Sequence, residues 1–209
     1  KQNTTGGEYM KTGKTVKVLL TAATAAGMLA GCGSKTDTDT FRFASELDIQ
    51  GMDSTVVDDG MSFNAVHAIT DGLTAVNEKG KTAPAIAKSW DVSDDGKTYT
   101  FHLRDAKWSN GDKVTANDFV YSWRKIIKNA GNYAYMLGSE GASVKNADAL
   151  MELGTNATDE QMATLGVTAK DDKTLVVELE NKVPYFTDLM AFPCYFPQNE
   201  KFVEKCGKN

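Results

Sequence analysis

The stretch "SWDVSDDGKTYTFHLR", residues 89–104, constrains the fold more than any other part of the chain. Tyr99, Phe101 and Leu103 alternate with Thr98, Thr100 and His102, so an extended strand here turns one apolar face and one polar face. Asp95-Gly96 supplies the tight turn of a hairpin. Residues 170–180, "KDDKTLVVELE", repeat the theme, with Asp171-Asp172 at the turn and Leu175, Val177 and Leu179 on one face. Between the two hairpins the period changes. Thr115 and Asp118 form a helix-capping pattern. Phe119, Val120, Trp123, Ile126 and Ile127 then line one side of a helix, with Arg124, Lys125 and Lys128 opposite.

The remaining elements are shorter. Residues 40–49, "TFRFASELDI", open with Phe41 and Phe43 on one face and Arg42 on the other, which predicts a strand. Residues 62–73 predict a helix: Ser62 is placed to cap it, and Phe63, Val66, Ile69 and Leu73 recur at helical spacing. Residues 158–165 predict a brief helix, and Pro184 opens another that runs to about Met190, since proline suits a first helical turn. Short strands with interspersed helices define an α/β chain of the mixed α+β kind. Its 209 residues suit one medium domain or a piece of a larger protein, and a hydrophobic content of 41% argues against disorder for the body of the chain. Trp90, Trp108 and Trp123 read as packing residues.

The first thirty-one residues read as an address. Lys1 to Tyr9 precede a plausible start methionine, Met10, and a short basic head follows it. Residues 16–30 are then mostly apolar, too short a run to span a bilayer, which takes ~20 apolar residues. This is the build of a secretory signal. It ends in Leu29-Ala30-Gly31-Cys32, which resembles the lipobox of bacterial lipoproteins. That resemblance implies cleavage before Cys32 and a diacylglycerol on its thiol. Two acyl chains, at ~0.8 kcal/mol per buried methylene, give stable anchoring where one is marginal. Residues 32–40 are small and polar, as a flexible tether is. Four of the 23 basic residues and one of the 28 acidic ones precede Cys32, so the net charge of −5 becomes −8 from Cys32 onward. That balance argues against nucleic acid as a partner.

No catalytic constellation stands out. Gly13-Lys14-Thr15 lacks the upstream glycine of a phosphate-binding loop, because Glu8 holds its place. His67 and His102 are isolated, with no metal-ligand spacing around them. Neither a metal nor a cofactor is called for, and an enzyme reading starts with nothing in its favour. Cys194 and Cys206 are expected to be free thiols.

Residues 83–125 read "APAIAKSWDVSDDGKTYTFHLRDAKWSNGDKVTANDFVYSWRK". They closely resemble the signature region of the extracellular solute-binding proteins of peptide ABC importers. An Ala-Pro dipeptide, a Ser-Trp strand, an Asp-Gly turn, a Thr-Phe-x-Leu-Arg strand, Ala-Lys-Trp-Ser-x-Gly and Thr-Ala-x-Asp-Phe follow in the family's order. Residues 51–73 and 165–190 extend the resemblance to most of the chain. The runs from Asp118 to Trp123 and from Val183 to Phe186 lean toward the oligopeptide branch.

The resemblance implies a periplasmic-binding-protein-like fold of two lobes around a cleft. Family members are more than twice this length, so residues 41–209 are expected to be the N-terminal part of one lobe. It implies oligopeptides as ligands, held extended through their backbones. It also implies a permease and an ATPase as partners, a monomeric receptor, and a place on the outer face of the membrane through the Cys32 anchor. Binding proteins of the same fold for a dipeptide, a nickel complex or a sugar, and a surface lipoprotein for sensing or adhesion, are the alternatives. Three residues carry over to the peptide site. Asp58 matches an acidic residue near the peptide's amino terminus, Gly60 a nearby backbone contact, and Tyr133 an aromatic residue at the cleft wall. Ser54 stands where the family has proline, and Asp59 adjoins Asp58, so a slip of one residue stays open.

Overall fold

A computed structural model describes residues 44–206. The leader, the tether, Cys32 and the Phe41 and Phe43 pair lie outside the described residues. The elements run as helix α1 (Gly60–Ile69), strands β1 (Thr74–Val76), β2 (Thr82–Pro84), β3 (Ala87–Val92) and β4 (Thr98–Leu103), and helix α2 (Ala116–Lys128). Helices α3 (Ala147–Leu153) and α4 (Asp159–Met162), strands β5 (Val167–Asp171) and β6 (Thr174–Glu178), and helices α5 (Phe186–Leu189) and α6 (Glu200–Cys206) follow.

The two hairpins join edge to edge into one antiparallel sheet of order β3-β4-β6-β5. In its central pair Tyr99 lies opposite Val177 and Phe101 opposite Leu175. Directly opposed residues share a face, so this register puts both apolar alternations on the same side. Tyr99, Phe101, Leu103, Leu175 and Val177 are accordingly all buried. Gly96 turns the first hairpin at φ +70°, where a side chain would be strained. The second turn falls one residue later than expected, because Asp171 still pairs with Thr174.

Helix α2 covers the sheet. At its start the Thr115 N–H donates to Asp118 Oδ2 at 2.7 Å, the capping contact the sequence predicts. Phe119, Trp123, Ile126 and Ile127 are fully buried, and α2 packs on β5 and β6. Each such side chain contributes roughly 1.5–3 kcal/mol by leaving water. The Trp123 indole N–H donates to the Tyr195 carbonyl at 3.0 Å, which removes the cost of burying it. Trp90 and Trp108 pack half-buried on the same core.

Three expectations need correction. Residues 44–49 form no strand; Leu47 is 66% and Ile49 49% exposed, and none of the described strands pairs with them. Alternation marks a face that could be buried, but pairing decides whether it is. Helix α1 is capped by Asp59, whose Oδ1 accepts from the Ser62 N–H at 2.8 Å. The Ser62 hydroxyl instead accepts from the backbone N–H groups of Gln50 and Gly51, at 3.0 and 3.2 Å. The helix stops at Ile69, and Leu73 is buried beside the start of β1. Helix α3 has no counterpart among the expected elements, for only Ala147 and Leu150 of it are buried, too few to show a period.

Candidate functional site

The three residues carried over by resemblance come from two distant segments. Asp58 and Gly60 precede and open α1, and both are exposed. Tyr133 lies in the turn after α2 and is half-buried. The structure brings them to one place: Asn132, beside Tyr133, donates its side-chain amide to Asp58 Oδ2 at 2.6 Å.

Two features hold the 53–58 loop against the 131–133 turn. The first is a polar clamp on Asp53. Its Oδ2 pairs with the Lys125 ammonium at 2.5 Å. Its Oδ1 accepts from Gln198 Nε2 at 2.6 Å and from the Thr55 hydroxyl at 2.7 Å. Lys125 also donates to Gln198 Oε1 at 2.8 Å, so α2, the loop and the buried 193–199 segment meet at one cluster. Burial pushes the Asp53 carboxyl up, but the bonds from Lys125, Thr55 and Gln198 outweigh it and leave the group below its ordinary value. The second is Gly131. A Cβ there would run into the Thr55 carbonyl oxygen and the Ile126 side chain, so only glycine lets loop and turn approach this closely.

An aromatic cluster adjoins the carboxylate. Phe63, on α1, meets the Tyr133 ring edge-on at 5.2 Å and the Phe192 ring at 5.2 Å. Tyr133 also lies 5.3 Å from Phe192 and stacks on Tyr135 at 5.9 Å. Such pairs stabilise by ~0.5–1.5 kcal/mol beyond their buried area and fix ring orientation. Sequence reasoning took Phe63 for a core residue of a periodic helix and passed over Asn132, Tyr135 and Phe192. Periodicity marks a buried face, but not a face shared with a turn seventy residues on.

The structure also separates the two adjoining carboxylates. Asp59 is consumed by the α1 cap, its pKa lowered by the bonds from Ser62, and its Oδ2 is sealed from solvent. Asp58 is exposed, and Asn132 engages one of its oxygens. Taken together, the wall offers an open carboxylate, a glycine without side-chain cover and an aromatic face. That set suits a ligand with a cationic group, a peptide backbone and an apolar portion.

Other features lie apart from it. A groove of about 930 Å³ runs along the polar side of α2, lined among others by Arg124, Lys128, Asp159, Glu200 and Val203, and none of the three carried-over residues borders it. Its charges are partly satisfied within the chain, as in the 2.7 Å pair of Lys128 with Asp159. His67 sits edge-on to the Phe196 ring, and His102 pairs with Asp91 at 2.8 Å. Among the described residues no cluster of three His, Cys, Asp or Glu could hold a metal ion. Cys194 is buried and free, its thiol pushed well up by burial; Cys206 is exposed and free.

This frame is shared by solved substrate-binding structures. The substrate-binding domain of an oligopeptide ABC transporter from Bacillus anthracis matches with a TM-score of 0.73 at 41% identity, over 79% of this chain and 31% of that one. OppA of Listeria monocytogenes, bound to peptide, matches with a TM-score of 0.67 at 41% identity, over 75% of this chain and 30% of that one. The dipeptide-binding protein of Lactococcus lactis subsp. cremoris is 39% identical over 203 residues, 95% of this chain and 35% of that protein. Residues 81–208 match the model of the bacterial extracellular solute-binding proteins, family 5 Middle, and the chain belongs to that family. It spans about a third of the length of these relatives.

Proposed function

We propose that this chain is the N-terminal part of one lobe of a receptor that captures extended oligopeptides outside the cell and hands them to a membrane permease driven by an ATPase. In this reading Asp58 meets the peptide's terminal ammonium, Gly60 offers its bare backbone, and Tyr133 lines the cleft. The observation that supports it best is the convergence of Asp58 and Tyr133, joined through Asn132, on an exposed wall of a fold whose relatives bind peptides. Backbone pairing gives affinity without reading side chains, which suits a receptor of broad range.

Residues 10–31 act in this reading as an export leader preceded by nine upstream residues, Cys32 as the lipid anchor and residues 32–40 as the tether of a monomer. Tethering keeps the receptor at a raised effective concentration near its permease. Calorimetry of the full-length gene product with mixed tri- to pentapeptides tests capture. Micromolar binding, weakened about tenfold by Asp58→Asn, is expected; no binding at all overturns the reading. Labelling with a radioactive fatty acid tests the anchor separately: wild type takes up label and Cys32→Ala does not.

A further inference from the structure

Three observations meet at Asp58. Its neighbour Asp59 is spent on the α1 cap, with the second oxygen sealed, so of the two adjoining carboxylates only Asp58 is open to a ligand. None of the ion pairs among the described residues includes Asp58. Among the described residues, the one side chain that bonds to it is Asn132, at 2.6 Å. A carboxylate only accepts, so the Asn132 amide must present its NH₂. That donor is neutral. It fixes the carboxylate without cancelling its charge, as a lysine or arginine in the same place would.

We propose that Asn132 is a positioning residue, whose side-chain amide holds Asp58 by one oxygen and leaves the other for a ligand's terminal ammonium. The inference rests on the peptide-capture reading and deepens it. An exposed aspartate at a loop end samples several rotamers, and ordering it costs free energy at each binding event. Asn132 orders it beforehand. Its own backbone is anchored, since Gly131 lies against the Thr55 carbonyl and Tyr133 is locked among Phe63, Phe192 and Tyr135. The amide therefore sets the carboxylate's distance from the aromatic wall.

The test is a double-mutant cycle in the full-length protein, read by calorimetry with tetra-alanine and N-acetyl-tetra-alanine. Asn132→Ala is expected to weaken tetra-alanine binding about fivefold and to leave the acetylated peptide unchanged, because acetylation removes the ammonium. In an Asp58→Asn background the Asn132→Ala loss is expected to vanish. Asn132→Ser, which keeps a short donor, is expected to recover part of the affinity, and Asn132→Asp to lose more than Asn132→Ala. Equal weakening of both peptides, or an undiminished loss in the Asp58→Asn background, overturns the positioning role and leaves peptide capture standing. Failure of wild type to bind either peptide overturns peptide capture itself, and this inference with it.

Discussion

At the scale of single residues, the site depends on one missing atom and one clamped carboxylate. Gly131 has no Cβ, and the space a Cβ would need is taken by the Thr55 carbonyl and Ile126. Gly131→Ala is expected to destabilise the fold by about 1–3 kcal/mol, the usual cost of forcing a group into packed space. Urea unfolding measures it; a change under about 0.5 kcal/mol would show that the loop gives way freely. Asp53 makes a pH argument. Its carboxyl sits below the ordinary aspartate range in the folded chain, so the folded state holds the proton less tightly than the unfolded one. Its contribution is therefore present above about pH 4 and lost as pH falls through the lower folded value. The stability gap between wild type and Asp53→Asn is expected to be steady near neutral pH and to close below about pH 4. A gap that widens on acidification would reverse the sign and refute the clamp.

At the scale of elements, α2 is the part whose sequence and structure agree most closely. Thr115, Asp118 and the apolar stripe announced it, and the Asp118 side chain does accept from the Thr115 N–H. The same carboxylate also accepts from the Trp108 indole at 3.3 Å. Burial leads the effects on Asp118 and raises its pKa, so its charge is less welcome in the folded chain than in the unfolded one. Asparagine keeps an acceptor for the two N–H donors and carries no charge. Asp118→Asn is thus expected to be neutral or stabilising at pH 7, whereas Asp118→Ala, which strands both donors, is expected to cost about 1 kcal/mol or more. Thermal unfolding of the two variants decides, and an asparagine variant as damaged as the alanine one would mean that the charge itself is needed. Helix α1 was less legible. Ser62 and Asp59 are both good caps, and the choice fell to Asp59 because Gln50 and Gly51 claim the Ser62 hydroxyl.

At the scale of the whole molecule, the described residues present the Asp58, Gly60 and Tyr133 wall on an exposed surface. The chain spans about a third of its relatives' length, and Asp58 and Gly60 are exposed, so water competes for the hydrogen bonds they offer. An exposed ion pair at Asp58 contributes only ~0–1 kcal/mol. Ordering a flexible peptide costs ~0.5–1.5 kcal/mol for each immobilised side chain. Residues 33–209 alone are therefore expected to bind tri- to pentapeptides at millimolar affinity or weaker, measured by calorimetry. Micromolar binding by this stretch would show that one wall suffices and would sink the argument for enclosure.

Local pattern in the sequence determined the two hairpins, the capped helix between them and the apolar faces that become the core. Each follows from neighbours a few residues apart, through alternation, a turn dipeptide or a cap, so no knowledge of the rest of the chain is needed. The motifs of residues 83–125 pointed in the same way to the family. Tertiary structure alone decided what depends on distant partners. It joined the hairpins through β4 and β6, left residues 44–49 without a partner strand among those described, and gave the α1 cap to Asp59. It also brought Asn132 to Asp58 and Phe192 to Phe63 and Tyr133. Those contacts cross 59 residues or more of chain. Their existence depends on how the sheet, α2 and the buried 193–199 segment pack together, and no local spacing encodes that.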